Sequence, residues 1–113
     1  MDIQNCDFVV VWEFVVTPGA ERQFEAAYGP LGAWVALFAS DSAYGGTRLV
    51  RDLKEPRRYL TLDYWASPAA YDSFRERHVA EYLVIDRKCE RLTESEKEIG
   101  RFESVPGQRA RHR

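Results

Sequence analysis

Residues 8–16 read Phe-Val-Val-Val-Trp-Glu-Phe-Val-Val. Phe8, Val10, Trp12, Phe14 and Val16 share one alternating face, and Val9, Val11 and Val15 share the other with Glu13. The run predicts a strand, and its two apolar faces require cover on both sides. Thr17-Pro18-Gly19 ends it. Thr17 is a plausible helix cap with Pro18 at the first helical position. A helix is predicted from about Gly19 to Tyr28, with Ala20, Phe24 and Ala27 or Tyr28 inward. Gly29-Pro30 interrupts it, because the residue before a proline avoids the helical basin. A helical pattern resumes over Leu31–Phe38, bringing Leu31, Trp34, Val35 and Phe38 together.

Ser40–Gly46 has loop composition, and Thr47–Leu53 reads as a second strand. Lys54-Glu55-Pro56 makes a turn into a third strand, Arg57–Trp65, so the two strands form a hairpin. Ser67 then caps a long helix over roughly Pro68–Cys89. Gaps of three and four residues put Tyr71, Phe74, His78, Tyr82, Ile85 and Cys89 on one stripe of it. Thr93-Glu94-Ser95-Glu96 matches a capping box and predicts a short extra helical turn. Gly100 ends that turn, and Arg101–Val105 is a short last strand.

The order βαββαβ predicts an α+β, ferredoxin-like fold: a four-stranded antiparallel sheet with helices on one face. The uncovered face needs a partner, since an exposed apolar patch of that size marks an interaction surface. A symmetric homodimer, sheet against sheet, is the simplest closure.

The bulk properties narrow the class. A chain of 113 residues with 45% hydrophobic and 30% charged residues fits one globular domain, assigned to 1–105. Residues 106–113 form a basic tail read as frayed and solvated. Three arginines of that tail offset an acidic body, which has net charge −5 against −2 for the whole chain. An acidic body argues against nucleic-acid binding. No apolar run approaches the roughly 18 residues of a membrane span. The first residues lack the basic segment of a secretory signal, and only Cys6 and Cys89 occur, so a cytoplasmic location without a disulfide framework is expected. Neither GxGxxG nor GxxxxGK[ST] is present, nor a GxSxG elbow or zinc-ligand spacing.

The remaining chemistry is aromatic. Trp12, Trp34, Trp65, Tyr28, Tyr44, Tyr59, Tyr64, Tyr71 and Phe38 could line a pocket for a planar organic ligand, or simply build core. His78, in phase with Phe74 and Tyr82, is expected to face the sheet, as a general base, an axial ligand or a packing residue. If Leu60, Leu62 and Tyr64 pack on the helices, Asp63 points the other way, into the dimer interior, where Arg48 or Arg51 could pair with it. Glu13 invites the same readings.

Several segments together resemble one family. They are Trp12-Glu13-Phe14 with Pro18-Gly19, Phe24-Glu25, Tyr28-Gly29-Pro30-Leu31-Gly32-Ala33-Trp34 and Gly46-Thr47-Arg48-Leu49. Tyr59-Leu60-Thr61-Leu62-Asp63-Tyr64-Trp65-Ala66-Ser67, Leu92-Thr93-Glu94-Ser95-Glu96 and Ile99-Gly100 complete the series. Over about residues 8–105 the chain resembles the antibiotic biosynthesis monooxygenase-like proteins of the dimeric α+β barrel group. The resemblance implies a homodimer whose sheets form a barrel, with a pocket between each sheet and its own helices. It implies either oxidation of phenolic substrates with no flavin or metal, or haem degradation, or the fold with no established reaction. Trp65 matches the tryptophan that closes the third strand in active members. Thr61 lies where those members can carry an asparagine, and His78 lies one turn past the family's helix histidine, which falls near Phe74.

Three functions are thus expected in turn. The first is a cofactor-independent monooxygenase for a small aromatic or quinol-like substrate, with His78, Trp65 and Tyr71 as catalytic residues. Trp34, Phe38, Tyr44 and Phe74 would then contact substrate, and Tyr44 could also serve as a donor. The second is a non-catalytic ligand-binding or stress-associated homodimer. The third is a haem-binding or haem-degrading protein with His78 as ligand.

Overall fold

A computed structural model of the protein describes residues 6–106. The elements run β1 (Phe8–Val16), α1 (Glu21–Tyr28), α2 (Ala33–Phe38), β2 (Tyr44–Arg51), β3 (Arg58–Trp65), α3 (Pro68–Arg77), α4 (Val79–Cys89) and β4 (Thr93–Glu103). The strands form one antiparallel sheet in the order β2-β3-β1-β4. This is the expected ferredoxin-like α+β fold. The basic tail lies, apart from Pro106, outside the described residues.

The core forms where the large side chains of β1 and β3 meet the helices. Partners in an antiparallel ladder share a face. Phe8 pairs with Trp65, Val10 with Asp63, Trp12 with Thr61 and Phe14 with Tyr59, so all eight point at the helix layer. Phe24, Tyr28, Trp34, Val35, Phe38, Tyr71 and Phe74 close over them from the helices. Trp65 is fully buried, with ring centroids of Phe74, Tyr44, Tyr71 and Phe38 at 5.0, 5.2, 5.5 and 5.6 Å. Truncating such a residue to alanine costs about 3–5 kcal/mol.

This register reverses one expectation. Asp63 faces the helices, and Leu60, Leu62 and Tyr64 occupy the open sheet face with Val9, Val11 and Val15. The aromatic rings of Tyr59 and Trp65 decide the matter: they bury more area than the leucines and take Asp63 with them. Neither expected arginine pairs with Asp63. Arg48 lies opposite Leu62 and so shares the open face, and Arg51 reaches Glu25 at 3.7 Å. Glu13, on the open face, is held by Arg58 at 2.6 Å and Lys97 at 3.5 Å.

Local signals were overridden elsewhere. Ala20, not Thr17, caps α1, and the Thr17 hydroxyl instead donates to the Arg91 carbonyl at 3.0 Å. Leu31, expected inward, is fully exposed. The long helix expected over 68–89 breaks at His78, whose φ of −121° and ψ of 27° end α3 and begin α4. Ser67 does cap α3, accepting from the Ala70 amide at 3.1 Å. Thr93–Glu96 is not a helical turn; it begins the 11-residue β4. The free edge of β1 supplies a ladder for the whole of 93–103, which outweighs the local cap. The charged sequence of β4 suits its place at the sheet edge.

Candidate active site

Between the sheet and the helices lies a cavity of about 130 Å³. Trp12, Phe14, Thr61 and Asp63 from β1 and β3 form its floor, with Thr47 from β2. Tyr28, Trp34, Val35 and Phe38 wall one side, and Tyr71, Arg75 and Tyr82 the other. Asp86 and Glu96 also line it, from α4 and β4. An apolar cavity of about 150 Å³ can hold benzene, so this space suits one aromatic ring.

The polar groups of the cavity are few. Asp63 is 8% exposed and receives one hydrogen bond, from the Thr47 hydroxyl to Oδ1 at 2.6 Å. The Tyr44 hydroxyl lies 2.5 Å from Thr47 Oγ1. No cation among the described residues forms an ion pair with Asp63. Burial therefore pushes its carboxyl up to about 6, partly countered by the Thr47 bond. Burial likewise raises Tyr71 and Tyr82, Asp86 and Glu96, and takes Tyr44 to about 12. The Arg75 guanidinium sits 5.6 Å from the centroids of both Tyr71 and Tyr82, within cation–π range. The Tyr82 hydroxyl is buried without a hydrogen-bond partner among the described residues, a pattern that favours a polar ligand.

The seven expected site residues divide. Trp34, Phe38 and Tyr71 line the cavity. Trp65, Tyr44 and Phe74 stand behind it as its support, and the Trp65 indole nitrogen is buried without a hydrogen-bond partner among the described residues. His78 does not line the cavity: its ring lies 4.3 Å from that of Phe74, and Nδ1 is 2.8 Å from Glu81 Oε2. The helix break at His78 is what removes it from the inward stripe. Asp63, Thr47, Arg75, Asp86 and Glu96 were not read as cavity residues. The signal for Asp63 was available in its even spacing from Tyr59 and from Trp65, the largest residue of its strand.

A ferredoxin-like sheet carrying an aromatic cavity under its helices defines a class of small α+β proteins. The sequence matches the antibiotic biosynthesis monooxygenase family over residues 7–82, and the chain belongs to that family. Solved structures agree on the fold. A candidate antibiotic biosynthesis monooxygenase from Bordetella bronchiseptica superposes with a TM-score of 0.73 at 20% identity, over 88% of this chain and 98% of that one. SnoaB, a cofactor-independent oxygenase from Streptomyces nogalater, gives 0.68 at 20% identity, over 88% and 94%. PA3566 from Pseudomonas aeruginosa gives 0.65 at 17% identity, over 88% and 95%. No curated protein matches the sequence.

Proposed function

We propose that the protein is a cofactor-independent monooxygenase that converts a small phenol with a free para C–H to the corresponding quinone. The observation that carries this reading is the cavity: aromatic walls sized for one ring, with a few buried hydroxyl and carboxyl groups. Family membership and the likeness to a cofactor-independent oxygenase support it. The phenol first gives up its hydroxyl proton. The phenolate passes one electron to oxygen, and the resulting superoxide and phenoxyl radical join at the para carbon. The peroxide formed takes up a proton and then loses water, as the O–O bond breaks and the para hydrogen leaves. One oxygen atom ends in the quinone, the other in water with both substrate hydrogens. Trp34 and Phe38 hold the ring, and the Tyr71 and Tyr82 hydroxyls can donate to the peroxide oxygens as negative charge collects there. The haem alternative has less support, because its ligand, His78, lies away from the cavity and is bonded to Glu81.

We also infer a homodimer through the open sheet face. Val9, Val11, Val15, Leu60, Leu62 and Tyr64 are all partly exposed there, and Val50 and Phe102 extend the patch at 43% and 50% exposure. Two such faces stacked about 10 Å apart would bury it.

The test is oxygen consumption by the purified protein with one-ring phenols, 2,6-dimethylphenol among them, with product identified by mass. Under labelled dioxygen the reading requires 2,6-dimethyl-1,4-benzoquinone carrying one labelled atom. Accumulation of hydrogen peroxide in place of oxygen insertion, or no turnover across the panel, would remove it.

A further inference from the structure

We propose that Asp63 accepts the substrate's phenolic proton, and that Thr47 and Tyr44 are positioning residues that hold its carboxylate for that role. The proposal rests on the monooxygenase reading above and assigns its base. Asp63 is the one buried carboxyl group among the described residues that line the cavity; Asp86 on α4 and Glu96 on β4, opposite Phe14, are exposed. Its Oδ1 is occupied by Thr47, and Oδ2 has no partner among the described residues. With Asp63 ionised, the single hydroxyl hydrogen of Thr47 is spent on Oδ1. Thr47 can then only accept from Tyr44, which fixes a chain Tyr44–Thr47–Asp63 running from the core to the cavity. Such a chain holds the carboxylate while leaving one oxygen for the ligand.

The other charged or titratable groups around the cavity do not replace it. Tyr44 from β2 is behind Thr47. Tyr71 and Arg75 come from α3, Tyr82 and Asp86 from α4, Tyr28 from α1 and Glu96 from β4. Arg101 of β4 lies over the Tyr71 ring at 5.3 Å and bonds Glu98 and Asp72. β1 and α2 offer only apolar and aromatic side chains to the cavity. The tyrosines are raised by burial and are poor bases near neutral pH. A carboxyl titrating near 6 is ionised at neutral pH yet basic enough to share a proton with a phenol.

The experiment compares wild type with Asp63→Asn and Thr47→Val, all checked for native near-UV circular dichroism. Turnover of 2,6-dimethylphenol is followed from pH 4.5 to 8, and its anaerobic binding is titrated over the same range. Asp63→Asn is expected to lose turnover by about a hundredfold or more. Thr47→Val should lower turnover at every pH, though less than Asp63→Asn does, and move the acid limb upward by about half a unit to one unit, since the bond favouring the carboxylate is gone. Anaerobic binding should weaken below the acid limb in wild type and lose that dependence in Asp63→Asn. An Asn variant with wild-type turnover and an unchanged acid limb overturns the assignment while leaving the monooxygenase reading intact. If wild type does not oxidise the phenol, the binding titrations decide: an acid limb abolished by Asp63→Asn upholds Asp63 as proton acceptor, and equal, pH-independent binding overturns it.

Discussion

Replacing Asp63 by asparagine should stabilise the protein at neutral pH. The carboxyl is buried beside aromatic rings with a single hydroxyl donor, and its pKa rises from 3.8 to about 6. Well below pH 4 the group is protonated in the folded and the unfolded chain, and burial carries no ionic penalty. As pH climbs from about 4 to about 6, the unfolded chain ionises while the folded chain still holds its proton, so stability falls. Above the folded value the full cost is present. A shift of roughly two units corresponds to about 3 kcal/mol. Asparagine is nearly isosteric, its carbonyl oxygen can still accept from Thr47, and it has no charge to desolvate. The variant should therefore melt roughly 10 °C higher at pH 7.5, at about 1 kcal/mol for every few degrees in a domain this size. The gap should close towards pH 4. Melts by near-UV circular dichroism at fixed protein concentration, with urea titrations at each pH, measure both quantities. A variant that is no more stable at pH 7.5, or whose advantage does not change with pH, would refute the reasoning. It would mean that Asp63 is better solvated or better paired in solution than its surroundings show.

Three further outcomes are expected. Leu62→Arg puts a charge in the middle of the open sheet face, so light scattering should show the mass dropping from twice 13.1 kDa towards 13.1 kDa; a wild-type monomer would remove the sheet-face dimer altogether. Gly32→Ala places a Cβ 2.1 Å from the Ala27 carbonyl oxygen and 2.5 Å from that of Ala26, so the turn between α1 and α2 must open; the loss should be about 2–4 kcal/mol in a urea titration. His78→Ala should cost only about 1 kcal/mol and leave the pH profile of turnover unmoved, because its ring packs on Phe74 and bonds Glu81 outside the cavity. Loss of the acid limb in that variant would return His78 to the mechanism.

How much of this was legible depended on whether the deciding interaction was local. The limits of β1 were readable because nine residues without turn chemistry have no other use. The Ser67 cap was readable because its signal and its partner, Ala70, lie three residues apart. The capping box at Thr93 was equally good local chemistry and failed, because the vacant edge of β1 lies about 80 residues away in sequence. The helix break at His78 carried no proline or glycine to announce it, and it moved the histidine off the stripe that made it a candidate. Trp34, Phe38 and Tyr71 face inward, where bulk sends them. For the polar residues of the cavity there is no such rule, since polarity does not say which side of a strand a residue takes.

The parity of β3 links the site to the open face. Shifting that strand by one residue would exchange every side chain between the two faces. Leu60 and Leu62 would then leave the surface that calls for a partner, and Asp63 would leave the cavity. The two acids nearest this choice show how differently a fold treats a carboxylate. Glu13, on the open face, has Arg58 and Lys97 beside it, and the Arg58 bond above all holds its carboxyl below the usual range. Asp63, on the helix face, has no ion-paired cation among the described residues, only the Thr47 hydroxyl. A serine or alanine at 63 would pack the same floor without the ionic cost. A charge placed where packing gains nothing from it, beside an aromatic space with room for a ring, is better explained by what enters that space than by what holds the sheet together.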